Sequence, residues 1–97
     1  MTLRVAVPAF LEAKEGSAEL GAFLEGGRAI AAAEPGTMTW YAFKISESEY
    51  GIFDTFKTED ARQDHLHGEI PPALAQVAPD LLAADPDIRM VEVIAVK

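Results

Sequence analysis

Residues 37–57 constrain the fold more than any other part of the chain. Two runs rich in aromatic and β-branched residues, TMTWYAFKI (37–45) and YGIFDTFK (50–57), flank the polar turn SESE. This pattern is typical of a β-hairpin whose loop is longer than two residues. Helical patterns precede and follow the hairpin, so its two strands are predicted to stand between two helices in chain order.

The helices are indicated by apolar residues that recur every three or four positions. In the segment 17–33 these residues form one face of a helix, with Ser17 as the expected N-cap. Thr58 is the expected N-cap of a second helix. We predict that this helix ends at Gly68, because glycine is favoured just beyond helix C-termini.

Three further elements complete the order. Pro71 is expected to start a third helix, which Pro79 should kink or divide. Strands are predicted over 3–12 and 88–97. Within the first of them, Pro8 should lie near a bulge or an unpaired position, because proline cannot donate to a ladder.

The order strand, helix, strand, strand, helix pair, strand predicts an α+β fold. It is that of a ferredoxin-like split β-α-β fold, with a four-stranded antiparallel sheet and helices on one face. We expect one domain over residues 1–97. Val5, Ala6 and Val7 run together, as do the apolar residues 93–96, whereas a strand with one face in water would alternate. We therefore predict that a second subunit covers the open face in a homodimer.

Charge and composition exclude several classes of function. Sixteen acidic and eight basic residues give a net charge of −8, which argues against binding to nucleic acid or to an anionic membrane surface. The chain has no cysteine, so disulfides, thiolate catalysis and cysteine metal sites are excluded. This fits a reducing compartment, and the N-terminus MTLRVAVPAF lacks the layout of a signal peptide, so we expect a cytoplasmic protein.

Two short motifs give the chain a family resemblance. The first is a strand pattern G-x-x-x-(W/Y), which Gly36, Trp40 and Tyr41 match. The second lies in the strand and helix that follow and is matched by Phe53, Phe56, Ala61, His65 and Leu66. With these residues the chain resembles the antibiotic biosynthesis monooxygenase (ABM) domain family, a branch of the dimeric α+β barrel superfamily. The resemblance implies a homodimer whose two sheets form a barrel, with a small pocket between sheet and helices in each subunit. It also implies cofactor-independent oxygenation of phenols, quinols or polyketide aromatics, although other relatives degrade haem.

His65 is the leading catalytic candidate, because the resemblance places it at the wall of the pocket. An imidazole titrates near neutrality and suits a general base. It would remove a phenolic or quinol proton and leave an electron-rich anion that reacts with dioxygen. The alternative is a half-buried helix histidine that is hydrogen-bonded to the backbone.

A metal site at the two histidines is not expected. His65 and His67 are two residues apart, and such side chains point about 200° apart on a helix, so both rings cannot face one ligand. Asp64 and Glu69 are the nearest carboxylates in sequence, and we interpret both as surface charges. We therefore predict neither a metal nor a cofactor.

Four further residues are candidates for substrate binding. Trp40 and Tyr41 are neighbours on one strand and must point to opposite faces, so one should face the helices and the other the partner sheet. The alternative for each is aromatic core packing. Asp54 interrupts an apolar strand, either at an edge or in a polar pocket. Arg62 should pair with an acidic neighbour or hold an anionic ligand.

Three functions follow from these residues. The first is a cofactor-independent monooxygenase acting on a small aromatic, phenolic or quinol substrate. The second is a dimeric module that binds a small hydrophobic ligand without turnover. The third, a haem-handling protein, is disfavoured because haem-degrading relatives use an asparagine and this chain contains none.

Overall fold

The predicted hairpin forms, and a helix precedes and follows it. The computed structural model describes residues 5–14 and 17–97. Its elements are β1 (Val5–Glu12), α1 (Ser17–Ala33), β2 (Thr37–Lys44), β3 (Glu49–Phe56), α2 (Glu59–Leu66), α3 (Ile70–Leu81), β4 (Asp87–Ile88) and β5 (Val91–Glu92). The α+β class and the ferredoxin-like order are confirmed. The predicted N-cap side chain of Ser17 and the first two residues of the predicted strand 3–12 lie outside the described residues.

The sheet is antiparallel, and its strands lie in the order β2-β3-β1-β4, with β5 also paired to β1. The sheet is therefore four strands wide, because β4 and β5 are two segments of the same edge strand, both paired to β1. The prediction of a single strand over 88–97 was wrong. Only residues 87–88 and 91–92 are paired as strands, and residues 93–97 belong to no strand.

Pro8 explains why the last strand is interrupted. The backbone N–H of Arg89 donates to the carbonyl oxygen of Pro8 at 3.0 Å. In an antiparallel sheet the N–H and C=O of one residue point to the same side. The missing N–H of Pro8 therefore faces the gap between β4 and β5, as expected for a proline at an unpaired ladder position.

The helices cover one face of the sheet and leave the other open. The main buried cluster lies between the covered face and the helices, and it contains Ala9, Leu11, Ala13, Leu20, Leu24, Tyr50, Ile52, Leu74 and Leu82. Because side chains alternate along a strand, their neighbours point to the opposite face. There, Phe10, Tyr41 and Phe43 are 43%, 60% and 39% exposed.

The two shorter helices form in the predicted segments. The Thr58 hydroxyl accepts a hydrogen bond from the Ala61 N–H at 3.1 Å, which confirms the N-cap of α2. Pro79 does not divide α3, which continues to Leu81. The proline lies in the last turn, so little helix remains beyond it, and the Leu82 N–H still bonds to the Ala78 carbonyl at 2.9 Å. Among the described residues, no helix has the length and apolarity needed to cross a membrane.

Candidate functional site

Asp54 is a charged residue in the interior of the sheet. It lies on β3, between β2 and β1, and is 1% exposed. Strand alternation places it on the same face as Ile52 and Phe56, toward the helices. Of the two positions predicted for Asp54, the structure shows the polar interior and not the strand edge. A buried carboxylate is costly unless it has a partner.

His65 is that partner. It is the buried residue of α2, and its Nε2 lies 3.0 Å from Oδ2 of Asp54. The imidazole also packs against the Phe56 ring, with the ring centroids 5.0 Å apart and the planes at 46°. His67 is exposed, and its Nδ1 lies 2.7 Å from the Gln63 carbonyl oxygen, so the predicted opposition of the two histidines is confirmed.

Glu34 contacts the other nitrogen of the imidazole. It directly follows α1, and its Oε1 lies 2.6 Å from His65 Nδ1. The Thr37 hydroxyl donates to the same oxygen at 2.8 Å. A Cβ on Gly36 would lie 2.5 Å from the Ala61 Cβ, so only glycine lets this turn approach α2 so closely. We call Glu34, His65 and Asp54 the buried triad.

Charge within the triad favours the protonated imidazole. Burial by itself lowers the pKa of His65, but the hydrogen bonds and negative charges of Asp54 and Glu34 outweigh it, so the pKa is raised above its ordinary value. Burial also raises the pKa of Asp54, and the contacts with His65 only partly oppose this. The imidazole of His65 thus lies between two carboxyl groups, one buried and one 22% exposed at its side chain, and both contacts favour its charged form.

Trp40 lies beside the buried end of the triad. It is directly opposite Asp54 in the β2–β3 pairing and packs against the core from the same face. Its six-membered ring rests on α1 at Gly27, where a Cβ would come within 3.3 Å of the ring. Trp40 lines an apolar cavity of about 240 Å³ between α1, α3 and the sheet, together with Ala22, Phe23, Leu24, Gly26, Gly27, Ile30, Ile70 and Ala73.

Two buried polar atoms at this place have no hydrogen-bond partner among the described residues. They are Nε1 of Trp40 and Oδ1 of Asp54. Buried polar groups are nearly always paired, so unpaired ones require an explanation. The indole nitrogen is a donor and the carboxylate oxygen an acceptor. Their residues form a direct cross-strand pair on the adjacent strands β2 and β3.

Other cavities lie elsewhere. One of about 120 Å³ reaches the partly exposed end of the triad, at Glu34 and His65, and is bordered by Gly36 and Ala61. A larger groove of about 560 Å³ runs beside α3. Its two charged lining residues, Lys14 and Asp85, are both exposed, and Lys14 Nζ lies 2.6 Å from the Pro79 carbonyl oxygen. Neither is a buried charge like Asp54, so size alone does not make this groove the site. Within residues 5–14 and 17–97, no cluster of histidines and carboxylates is arranged to hold a metal ion.

The structure brings together three of the five predicted site residues: His65, Asp54 and Trp40. Tyr41 lies on the open face of the sheet, away from the helices. Arg62 pairs with Glu59, and its NH1 donates to the carbonyl oxygens of Ala6 and Val91 at 3.1 Å each. Arg62 thus connects β1 to β5, and the pairing with an acidic neighbour is confirmed.

Glu34 was missed from the sequence. It is 31 positions from His65, beyond the reach of helix or strand periodicity. Its only local signal is a lone carboxylate between an alanine-rich helix end and a Pro-Gly turn, which is also typical of a surface residue. Asp64 and Glu69, the carboxylates closer in sequence, are exposed as expected.

Comparison with known proteins identifies the class of this fold. No family model matches the chain, and no curated protein matches it. SnoaB, a cofactor-independent oxygenase from Streptomyces nogalater that was solved as a mutant, superposes with a TM-score of 0.82 at 14% identity, over 97% of this chain and 96% of that one. A protein from Nitrosomonas europaea that is provisionally named an antibiotic biosynthesis monooxygenase gives 0.78 at 15% identity, over 97% and 93%. The chain therefore has the same α+β fold as these proteins, an ABM-like fold, as its motifs indicated.

A further solved structure is similar in sequence as well. NE2512 from Nitrosomonas europaea, a protein of unknown function, is 43% identical, covers 97% of this chain and 92% of its own, and has a TM-score of 0.93. The chain belongs to the same family as NE2512.

Proposed function

We propose that this protein is a cofactor-independent monooxygenase that acts on a small aromatic, phenolic or quinol substrate with dioxygen. The observation that carries the proposal is Asp54. It is a buried carboxylate with a raised pKa and one oxygen without a partner in the part of the chain that the structure describes, directly opposite a tryptophan that lines an apolar cavity. Titratable groups that are perturbed by burial beside a cavity are typical of active sites.

The geometry favours Asp54 over His65 as the proton acceptor. Both imidazole nitrogens lie within 3.0 Å of carboxylate oxygens, so neither has a free lone pair for a substrate proton. Asp54 Oδ2 is held by His65, whereas Oδ1 has no hydrogen-bond partner among the described residues. A carboxylate with a raised pKa is a stronger base than a carboxylate with the ordinary pKa. His65 is then a positioning residue that fixes the carboxylate.

In the proposed reaction, Asp54 removes the proton of a phenol or quinol, and the resulting anion is oxidised by dioxygen. A ring C–H is replaced by a C=O that holds one oxygen atom, and the other oxygen atom leaves as water. The apolar cavity would orient the ring and exclude water around the anion. The triad connects the buried Asp54 through His65 to Glu34, whose side chain is 22% exposed. A proton taken up by Asp54 could therefore pass along these three side chains toward the surface.

The proposed assembly is a homodimer built on the open sheet face. Phe10, Tyr41 and Phe43 on this face are each between 39% and 60% exposed. Contiguous apolar patches of this kind mark interaction surfaces. A second copy would cover them and shield the sheet from water.

Oxygen consumption with a panel of phenols and quinols, in chelator-treated buffer, tests the function. Asp54→Asn should lower the rate by roughly 10²–10⁴-fold, the usual contribution of a general base. Asp80→Asn removes one exposed charge from α3 and should leave the rate unchanged. The wild-type rate should fall as the pH falls through the raised pKa of Asp54, because only the carboxylate accepts a proton. Full activity of Asp54→Asn would contradict the assignment.

A second candidate is a dimeric module that binds a small hydrophobic ligand without turnover. The apolar lining of the cavity beside Trp40 favours it, because among the described residues of this lining Trp40 alone has a polar side-chain atom. Tight ligand binding without oxygen uptake across the panel would support this candidate over the monooxygenase. A Soret band on addition of haem would instead support haem handling.

A further inference from the structure

Two adjacent glycines, Gly26 and Gly27, lie in the middle of the 17-residue helix α1. Glycine weakens a helix interior, because it loses more backbone freedom on folding than any other residue. Gly27 has a packing reason, since a Cβ there would come within 3.3 Å of the Trp40 ring. Gly26 has none: outside the backbone of its own helix, a Cβ on Gly26 would meet no atom within 4 Å in the part of the chain that the structure describes.

The place of Gly26 on α1 suggests what the missing side chain leaves free. Gly26 borders the apolar cavity beside Trp40, and so do Ala22 and Ile30, one helical turn away on either side. Residues four apart lie on the same face of a helix, so a side chain at position 26 would project into the cavity between these two neighbours. Ala22 and Gly26 are exposed, whereas Ile70 on α3 is buried. The cavity therefore opens at α1 and extends inward toward Ile70.

We infer that Gly26 determines the size of the ligand that this cavity admits. With only a hydrogen atom at position 26, the opening admits an uncharged ring, and any larger residue would narrow it. The inference rests on the proposed function, in which the cavity holds the ring of the substrate, and it adds the residue that limits the size of that ring.

The volume of the cavity sets the scale of this selection. It is about 240 Å³, which exceeds the roughly 150 Å³ that is sufficient to hold benzene in an apolar protein interior. The surplus is the space that a larger ring system needs. A side chain at position 26 would occupy part of this space, so it should exclude a ligand with two fused rings before it excludes a ligand with one.

The opening lies away from the proposed dimer interface. Ala22 and Gly26 belong to a helix on the covered face of the sheet, whereas Tyr41 and Phe43 lie on the open face. A second copy on the open face would leave the opening accessible. Ligands could therefore enter and leave without dissociation of the dimer.

Thermal unfolding tests whether the fold itself requires the glycine. Alanine is the better helix former, and its Cβ would meet no neighbour, so Gly26→Ala should raise the midpoint of unfolding by about 2–6 °C. Gly27→Ala should gain less, because its Cβ would press against Trp40. A lower midpoint for Gly26→Ala would show that the fold needs this glycine, and would overturn the inference.

Titration of isotope-labelled protein with benzene and naphthalene tests the selection. Trp40 is the only tryptophan and lines the cavity, so its single indole N–H resonance reports a bound ring. Gly26→Leu should weaken naphthalene by about tenfold or more and benzene by about threefold or less. Ala29→Leu adds the same side chain at an exposed position of α1 outside the lining, and should change either affinity by less than about twofold.

Three results of this titration would overturn the inference. They are a wild-type resonance that neither ligand shifts to saturation, affinities that Gly26→Leu leaves unchanged, and an equal loss of both ligands. If Gly26→Leu does not fold, Gly26→Ala still decides, because it should weaken naphthalene more than benzene by a smaller factor.

Oxygen uptake with one-ring and two-ring phenols separates failure of this inference from failure of the proposed function. Size selection that depends on position 26, without oxygen uptake, would retain the inference and reject the monooxygenase. Oxidation of both classes of phenol at rates that Gly26→Leu does not alter would retain the monooxygenase and reject the inference.

Discussion

A histidine held by two carboxylates is stabilising only while it is charged. His65 is buried and contacts Asp54 and Glu34 through its two nitrogens. Removing one member of a buried charge pair typically costs roughly 3–5 kcal/mol, because it leaves uncompensated charge. We therefore expect His65→Gln to lower the free energy of unfolding by about that amount at pH 6. His67→Gln, at the exposed histidine of the same helix, should change it by less than about 0.5 kcal/mol. Urea denaturation of both variants measures the difference.

The pH dependence of stability follows from the direction of the pKa shift. Because the pKa of His65 in the folded protein is raised, its stabilisation is fully present below the unfolded value of about 6.5 and is lost as the pH rises through the folded value. The raised pKa of Asp54 acts in the same sense, since the folded protein holds that proton more tightly. Wild-type stability should fall as the pH rises from about 6.5 through the raised pKa of His65, and His65→Gln should show a smaller decline. An equal slope in both would contradict the charged triad.

At the scale of elements, local periodicity predicted most of the fold. The hairpin, α1 and α2 formed close to their predicted bounds because their signals lie within each segment. The last strand was predicted wrongly because its interruption originates on another strand, at Pro8. His65, Asp54 and Trp40 were named from the sequence, but their mutual contacts were not. Glu34 was missed because tertiary packing alone brings it to His65.

Close packing between the α1–β2 turn and α2 positions Glu34. Gly36→Ala would place a Cβ 2.5 Å from that of Ala61, so we expect it to destabilise the protein by about 1–3 kcal/mol. Ala61→Gly alone should cost about 1 kcal/mol from helix propensity. Introduced into the Ala61→Gly background, Gly36→Ala should cost much less, because the opposing Cβ is gone. A double-mutant cycle by thermal denaturation measures this coupling, and purely additive effects would show that the contact is not limiting.

At the scale of the whole molecule, the open sheet face should determine the oligomeric state. Sedimentation at micromolar concentration is expected to give twice the mass of one chain. Tyr41→Glu places a charge on the exposed apolar face and should produce monomers, because a charge buried in an interface is costly. Ala32→Glu adds the same charge to the exposed outer side of α1 and should leave the dimer intact. A monomeric wild type would reject the barrel arrangement.

The interrupted edge opposite Pro8 bears on aggregation. A long, regular edge strand offers a row of free backbone groups with which another chain can pair. Here that edge is divided into two pieces of two residues, although the sequence that follows, VIAV, has high β-propensity. Because one amide hydrogen is absent on β1, this edge presents a shorter template to neighbouring chains, and we expect it to be a poor starting point for extended β-sheet assemblies.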